Sequence, residues 1–176
     1  NHSGKVLFGD RCSPCHGGGG AGNPGYPVLA DDDWLFGGDI DTIQQSIING
    51  RKGMMPGFKA ALNEQQLNDL TKHVLAMSKG SEHAPGKELF VSMGCVGCHG
   101  MDGKGMQMMG AANLADAVWR FTPANEESVK YTIAYGINAP GAKETRSAVM
   151  PSFKDQLSET EIKKLAVYVY QLGGGQ

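Results

Sequence analysis

Two pentapeptides in the chain share one pattern, Cys12-Ser13-Pro14-Cys15-His16 and Cys95-Val96-Gly97-Cys98-His99. Cys-X-X-Cys-His is the attachment signature of c-type haem. Its two thiols bond to the porphyrin edge, and the adjacent imidazole is set beneath the iron. The chain has 4 cysteines, and the two motifs use all of them. The expected cofactor is two covalently bound haem c groups, held by Cys12, Cys15, Cys95 and Cys98, with His16 and His99 as iron ligands. Paired Cys-X-X-Cys units can also build a tetrahedral zinc site. Here the first cysteines, Cys12 and Cys95, are 83 residues apart, and zinc has no use for a histidine directly after each second cysteine. A thioredoxin-like redox pair needs alternating strands and helices around it, and no such pattern is visible. Disulfides within the motifs remain as a third reading.

A haem iron held by histidine needs a sixth ligand on its other face. Met55-Pro56 and Met150-Pro151 stand at equivalent repeat positions ahead of the last helical segment of each half. A proline keeps the residue before it extended, and a thioether ligand raises the reduction potential. Met55 and Met150 are the expected ligands, with Met54 competing in the first half. Met106, Met108 and Met109 follow the second motif in a glycine-rich loop and read as haem-pocket packing or an exposed patch. His73 reads as a partly exposed helix residue, His2 and His83 as solvated; ligation through His73 or His83 is a minor alternative. Each proximal histidine should donate its other ring nitrogen to a carbonyl, here expected to be that of Pro14 or Gly97. Trp34 and Trp119 are possible haem contacts. Their indoles suit core packing or an N–H set against a haem propionate, and one residue can do both. Arg51 could pair with a propionate in the first half. Its counterpart is Ile137, which leaves Arg120 and Arg146 as candidates in the second.

The elements that must position these residues come in two copies. Gly4-Lys5-Val6-Leu7-Phe8 matches Gly86-Lys87-Glu88-Leu89-Phe90, and Leu29-Ala30-Asp31 then Trp34 matches Leu114-Ala115-Asp116 then Trp119. The offset is 83 at the cysteines (Cys12, Cys95), 85 at the tryptophans (Trp34, Trp119) and 95 at the methionines (Met55, Met150). An insertion around Asn138 to Ser147 accounts for most of the growth. A period this long means two fused domains, not a solenoid. The expected boundaries are a first domain over 1–78, a linker over 79–85 and a second domain over 86–176. Within each, a short helix should lead into the haem motif. A middle helix should carry Ile43 and Ile47, or Val129 and Ile133, at i,i+4 spacing, ending at Gly50 or Gly136. The last helices place Leu67, Leu70, Val74 and Met77, or Ile162, Leu165, Val169 and Leu172, at steps of three and four. Asn63 with Gln66 and Ser158 with Glu161 read as capping boxes. No strand pattern competes. The fold class is all-α: two tandem class I cytochrome c domains, each a few short helices around a covalently bound haem.

Composition narrows the function classes. The formal net charge is −2, and residues 1–80 carry 7 basic and 8 acidic side chains against 9 and 10 in residues 81–176. With no basic run, nucleic acid is not an expected partner. No stretch approaches the ~20 apolar residues of a membrane span. Covalent haem attachment belongs to an oxidising compartment outside the cytoplasm, so a start at Asn1 is expected to follow a removed signal or anchor.

Gly-Lys-X-Leu-Phe before each haem motif, Asn113-Leu114-Ala115-Asp116 then Trp119, Gly50-Arg51-Lys52-Gly53-Met54-Met55-Pro56, and the terminal Leu165-Ala166-Val167-Tyr168-Val169-Tyr170-Gln171-Leu172 resemble the dihaem subunit of cbb(3)-type cytochrome c oxidases. The likeness covers nearly the whole chain as the periplasmic part of that subunit. The resemblance implies an electron relay that is not an enzyme on its own, taking electrons from a donor cytochrome towards the oxidase subunits. It also implies a periplasmic location and a membrane attachment through an N-terminal anchor. It carries over Cys12, Cys15, His16 and Met55 as one set, and Cys95, Cys98, His99 and Met150 as the other. The second-domain insertion and the loss of its Gly-Arg pair depart from the pattern. Rival readings are a free soluble dihaem shuttle, a dihaem peroxidase or dehydrogenase, and a gas-binding module; the last two need an iron with an open position.

Overall fold

The computed structural model describes residues 2–173, so Asn1 and residues 174–176 lie outside it. The described chain is helical, with isolated bridges and no strands. Helix α1 (His2–Arg11) leads into the one-turn helix α2 (Ser13–His16) of the first haem motif. Helix α3 (Ile40–Asn49) follows after a long loop, then α4 (Glu64–Met77). The second copy repeats the order with α5 (Ala84–Ser92), the motif turn α6 (Val96–His99), α7 (Glu126–Tyr135) and α8 (Glu159–Leu172). Both expected capping boxes form, at Asn63/Gln66 and Ser158/Glu161, satisfying N–H groups that the first helical turn leaves unpaired. Gly50 and Gly136 end α3 and α7 at φ +70° and +72°, a left-handed conformation that glycine adopts without steric cost.

The compact units do not follow the boundaries expected from the repeat. One consists of 1–52 together with 149–176; the other is the continuous stretch 53–148. The expected linker also shortens, because α5 already begins at Ala84. In the first unit α8 packs on α1 and α3. Its core is Phe8, Ile43, Ile47, Leu157, Ile162, Leu165, Ala166 and Val169. In the second unit α4 packs on α5 and α7, around Leu67, Leu70, Val74, Met77, Phe90, Val129 and Ile133. Each last helix therefore belongs to the other copy's first two helices. The second unit is a continuous stretch in which the first copy's last helix precedes the second copy's helices.

This correction has a simple cause. The two copies of the last helix carry nearly the same apolar spacing, so hydrophobic pattern alone fits either partner. The close crossings show which one is used. A Cβ on Gly86 of α5 would lie 2.0 Å from the Asp69 carbonyl oxygen and 2.5 Å from the His73 Cβ, both on α4. Only glycine admits that approach. Phe90 then stacks edge-on against His73, with ring centroids 5.6 Å apart. In the first unit Phe8 stacks against Tyr168 of α8 at 5.3 Å, so His73 and Tyr168 hold matching places.

Candidate haem sites

Each haem motif is a single helical turn, which brings both cysteines and the histidine to one edge. His16 N–H bonds the Cys12 carbonyl at 2.8 Å, and His99 N–H the Cys95 carbonyl at 2.9 Å. The glycine after each histidine has the same backbone angles, φ +76° and ψ +161°. That turns the chain sharply and lets it fold back beneath the ring. Gly22 N–H reaches the His16 carbonyl at 2.7 Å, and Gly105 N–H the His99 carbonyl at 2.9 Å. The returning loop supplies the partner for each imidazole. Nδ1 of His16 lies 3.0 Å from the Pro27 carbonyl, and Nδ1 of His99 lies 2.9 Å from the Ala112 carbonyl. The expected acceptors, Pro14 and Gly97, are thus replaced by Pro27 and Ala112. Carbonyls within the motif turn run along the helix axis and cannot face the ring two residues on; the folded-back loop can. With Nδ1 as donor, Nε2 is left as the free lone-pair nitrogen. Burial pushes both imidazoles below their ordinary range, against the opposing effect of the carbonyl bond, which favours the neutral, ligating form.

The four thiols are free and partly buried, so the motifs do not form disulfides here. Burial pushes the Cys12 thiol up to about 11 and raises that of Cys95 as well. Among the described residues, no three His, Cys, Asp or Glu side chains cluster as a metal cage.

The methionines sort with the exchanged helices. Met150 packs with Cys12, Leu29 and Trp34 against the first unit's core. Met55 packs with Cys95, Leu114 and Trp119 against the second unit's core. The sets carried over in sequence order, His16 with Met55 and His99 with Met150, are therefore regrouped: the first unit contains His16 and Met150, the second His99 and Met55. Each methionine is held by a two-way backbone pair. Arg51 N–H bonds the Met150 carbonyl at 3.0 Å and Met150 N–H bonds the Arg51 carbonyl at 2.9 Å. Met55 and Ile137 exchange the same two bonds at 2.9 Å each. Met54 is 61% exposed and does not point into the core.

One buried polar atom has no partner among the described residues: the indole Nε1 of Trp34. A buried N–H without an acceptor is rare and calls for an explanation. Gly38 lies directly over it, where a Cβ would sit 2.3 Å from Nε1. A carboxylate on the edge of a bound porphyrin would supply the missing acceptor. Arg51 lies in the same unit, its Nε donating to Ser46 Oγ at 2.8 Å and its guanidinium 4.8 Å over the Phe36 ring. Free paired thiols, an oriented imidazole, a methionine in the same core and an orphan N–H together fit a covalently held haem.

Comparison with known proteins agrees. The family model described as "Cytochrome c" matches residues 83–173. The chain belongs to the cytochrome c family. Residues 1–74 of this cytochrome c match the model described as "Cytochrome C oxidase, cbb3-type, subunit III". It is 40% identical over 188 residues to the cbb3-type cytochrome c oxidase subunit FixP of Bradyrhizobium diazoefficiens, covering 98% of this chain and 61% of that protein. The FixP of Azorhizobium caulinodans is 39% identical, with 98% and 60% covered. The subunit CcoP of Cereibacter sphaeroides is 38% identical, with 99% and 62% covered. The chain thus spans about three-fifths of the length of these relatives.

Other expectations change once the cytochrome c units are seen in three dimensions. His73 is 4% exposed, not a partly exposed helix residue, and its Nδ1 accepts from the His83 N–H at 3.3 Å. His83 is also not simply solvated, since its Nε2 lies 3.0 Å from Asp69 Oδ1. The local sequence hides this because the burial comes from α5 crossing α4 at Gly86. In the methionine loop Met106, Met108 and Met109 are 37%, 89% and 52% exposed. No helix among the described residues is long and apolar enough to cross a membrane.

Proposed function

We propose that this cytochrome c binds two haem c groups and relays single electrons as the electron-transfer subunit of a cbb(3)-type cytochrome c oxidase. The first haem is attached at Cys12 and Cys15 and ligated by His16 and Met150. The second is attached at Cys95 and Cys98 and ligated by His99 and Met55. Trp34 and Arg51 face the carboxylate edge of the first, and Trp119 lies in the corresponding place in the second unit. The observation that carries the reading is the pairing, in each compact unit, of one oriented imidazole with one half-buried methionine from a Met-Pro loop. Iron held on both faces by protein has no open position for substrate, so the protein supplies placement and potential, and chemistry beyond electron transfer belongs to its partners.

The partners are a donor cytochrome on one side and the oxidase subunits on the other, at the periplasmic face of the membrane. Attachment is through an N-terminal anchor in the longer protein. The relatives' names and the family match over residues 1–74 support the oxidase as partner. Absorption and magnetic spectra of the native protein test the haem assignments. Two low-spin haems per chain, each with a methionine-to-iron charge-transfer band, are expected. Met150→Ala should remove that band from the haem at Cys12 and Cys15, and Met55→Ala from the haem at Cys95 and Cys98. High-spin iron in the native protein would support a substrate- or gas-binding haem instead. Loss of the opposite band in either variant would reject the exchanged ligand sets.

A further inference from the structure

The second unit has no arginine after its middle helix. Gly50 is followed by Arg51, whereas Gly136 is followed by Ile137, and Ile137 takes over the backbone pairing that Arg51 makes with the methionine loop. The insertion that begins at Asn138 then brings an arginine back. Arg146 N–H bonds the Gly136 carbonyl at 3.0 Å, and Asn138 N–H bonds the Arg146 carbonyl at 2.8 Å. The Asn138 side chain fastens the returning strand, donating to the Gly53 and Ala148 carbonyls at 2.7 and 2.9 Å.

The Arg146 side chain occupies the same kind of seat as Arg51. Arg51 Nε donates to Ser46 Oγ at 2.8 Å, and Arg146 Nε donates to Thr132 Oγ1 at 2.9 Å. Ser46 and Thr132 are repeat equivalents, each preceding the second core isoleucine of its helix. The Arg51 guanidinium lies 4.8 Å over Phe36, and that of Arg146 lies 4.6 Å over Phe121. Phe36 and Phe121 are again equivalents, each two residues after its tryptophan. Arg146 is fixed further by Nη2, which donates to the Ser128 carbonyl at 3.2 Å and to Ser128 Oγ at 3.1 Å. Neither guanidinium has an Asp or Glu partner among the described residues. Both are partly buried, and a desolvated cation without an anion is costly. Two different chain segments thus hold a guanidinium against the same hydroxyl and ring positions, with Arg146 also 5.0 Å over the Tyr131 ring.

We propose that Arg146 is the second unit's haem-carboxylate partner, supplying from the insertion the charge that Arg51 supplies in the first unit. This inference rests on the two-haem reading above. The cation offsets the propionate charge and favours the ferrous state, so it holds the second haem's potential up; Arg146 is a positioning and potential-setting residue.

Redox titration of the full chain with both haems attached tests the proposal. The haem at Cys95 and Cys98 is identified by its response to Met55→Ala. Arg146→Gln should shift that haem's reduction equilibrium three- to tenfold towards ferric, a fall of roughly 30–60 mV at 59 mV per decade, with the other haem unmoved. Arg146→Lys, which keeps the charge but loses the fork, should recover most of the fall. Arg51→Gln should lower the other haem instead. If Arg146→Gln fails to assemble, Ile137→Arg with Arg146→Gln places the cation where the first unit has it. That double variant should assemble and titrate near the native potential. An unchanged second-haem potential in Arg146→Gln, no recovery in Arg146→Lys, or a low potential in the assembled double variant would overturn the proposal. Native protein lacking two low-spin haems would instead overturn the reading on which it rests.

Discussion

Leu165 offers a direct test of which helices share a core. It lies in α8 and is 0% exposed, next to Ala166, also 0% exposed, in the cluster built on Phe8, Ile43 and Ile47. Leu165→Ala removes apolar contact whose transfer value is about 2 kcal/mol, from roughly 0.8 kcal/mol per buried CH₂. The cavity adds to that, because α1 and α3 hold the site open, so the full cost should be roughly 3–5 kcal/mol. This is a large share of the roughly 5–15 kcal/mol that holds a domain folded. The expected result is a sharply lowered denaturation midpoint for the haem at Cys12 and Cys15. Guanidinium unfolding, followed through the separate methionine-ligand resonances of the two haems, reads it out. Leu70, 1% exposed on α4, gives the mirror experiment, with Leu70→Ala striking the haem at Cys95 and Cys98. If Leu165→Ala instead lowered the midpoint of the Cys95 haem and spared the other, the exchange of last helices would be refuted.

Gly86→Ala should destabilise the second unit by roughly 1–3 kcal/mol or more, because its Cβ would meet the Asp69 carbonyl at 2.0 Å; a thermal melt at native values would show that α4 is not seated on α5. His73 gives a pH signature. Burial pushes its imidazole below the ordinary range, opposed by Glu82 and reinforced by Lys87 and His83. The unfolded chain therefore takes up the proton first as pH falls. The stability that the neutral ring contributes is full above about pH 6.5 and is lost progressively below it, towards the lower folded value. His73→Tyr, which installs the residue found at the matching position 168, should flatten the second unit's stability profile below about pH 6.5; an unchanged slope would place the titrating group elsewhere.

Much of the site was legible in the sequence because its signals are local. Cys-X-X-Cys-His closes its own turn, so the identity of the anchors and proximal ligands needs no tertiary information. Met55 was separable from Met54 by repeat position, and the fold packs a half-buried Met55 against the core and leaves Met54 exposed. Gly50, Gly136, Asn63 and Ser158 end or begin helices through bonds spanning one turn. What failed involved a partner distant in sequence. Pro27 and Ala112 replaced Pro14 and Gly97 as acceptors because the loop folds back. His73 was buried by a helix that crosses it. Arg146 reached the seat equivalent to that of Arg51 only because the insertion returns to Gly136.

Taken alone, the order of residues determined that there would be two helical units and named their candidate haem-binding side chains. Spacing along a helix records which face is apolar, and that was enough. It does not record what the face will meet. Two last helices with matching apolar stripes were equally acceptable to two matching cores, and the choice fell to long-range packing: the glycine crossing at Gly86 and the backbone pairs at Arg51–Met150 and Met55–Ile137. That packing decides which methionine shares a compact unit with which histidine.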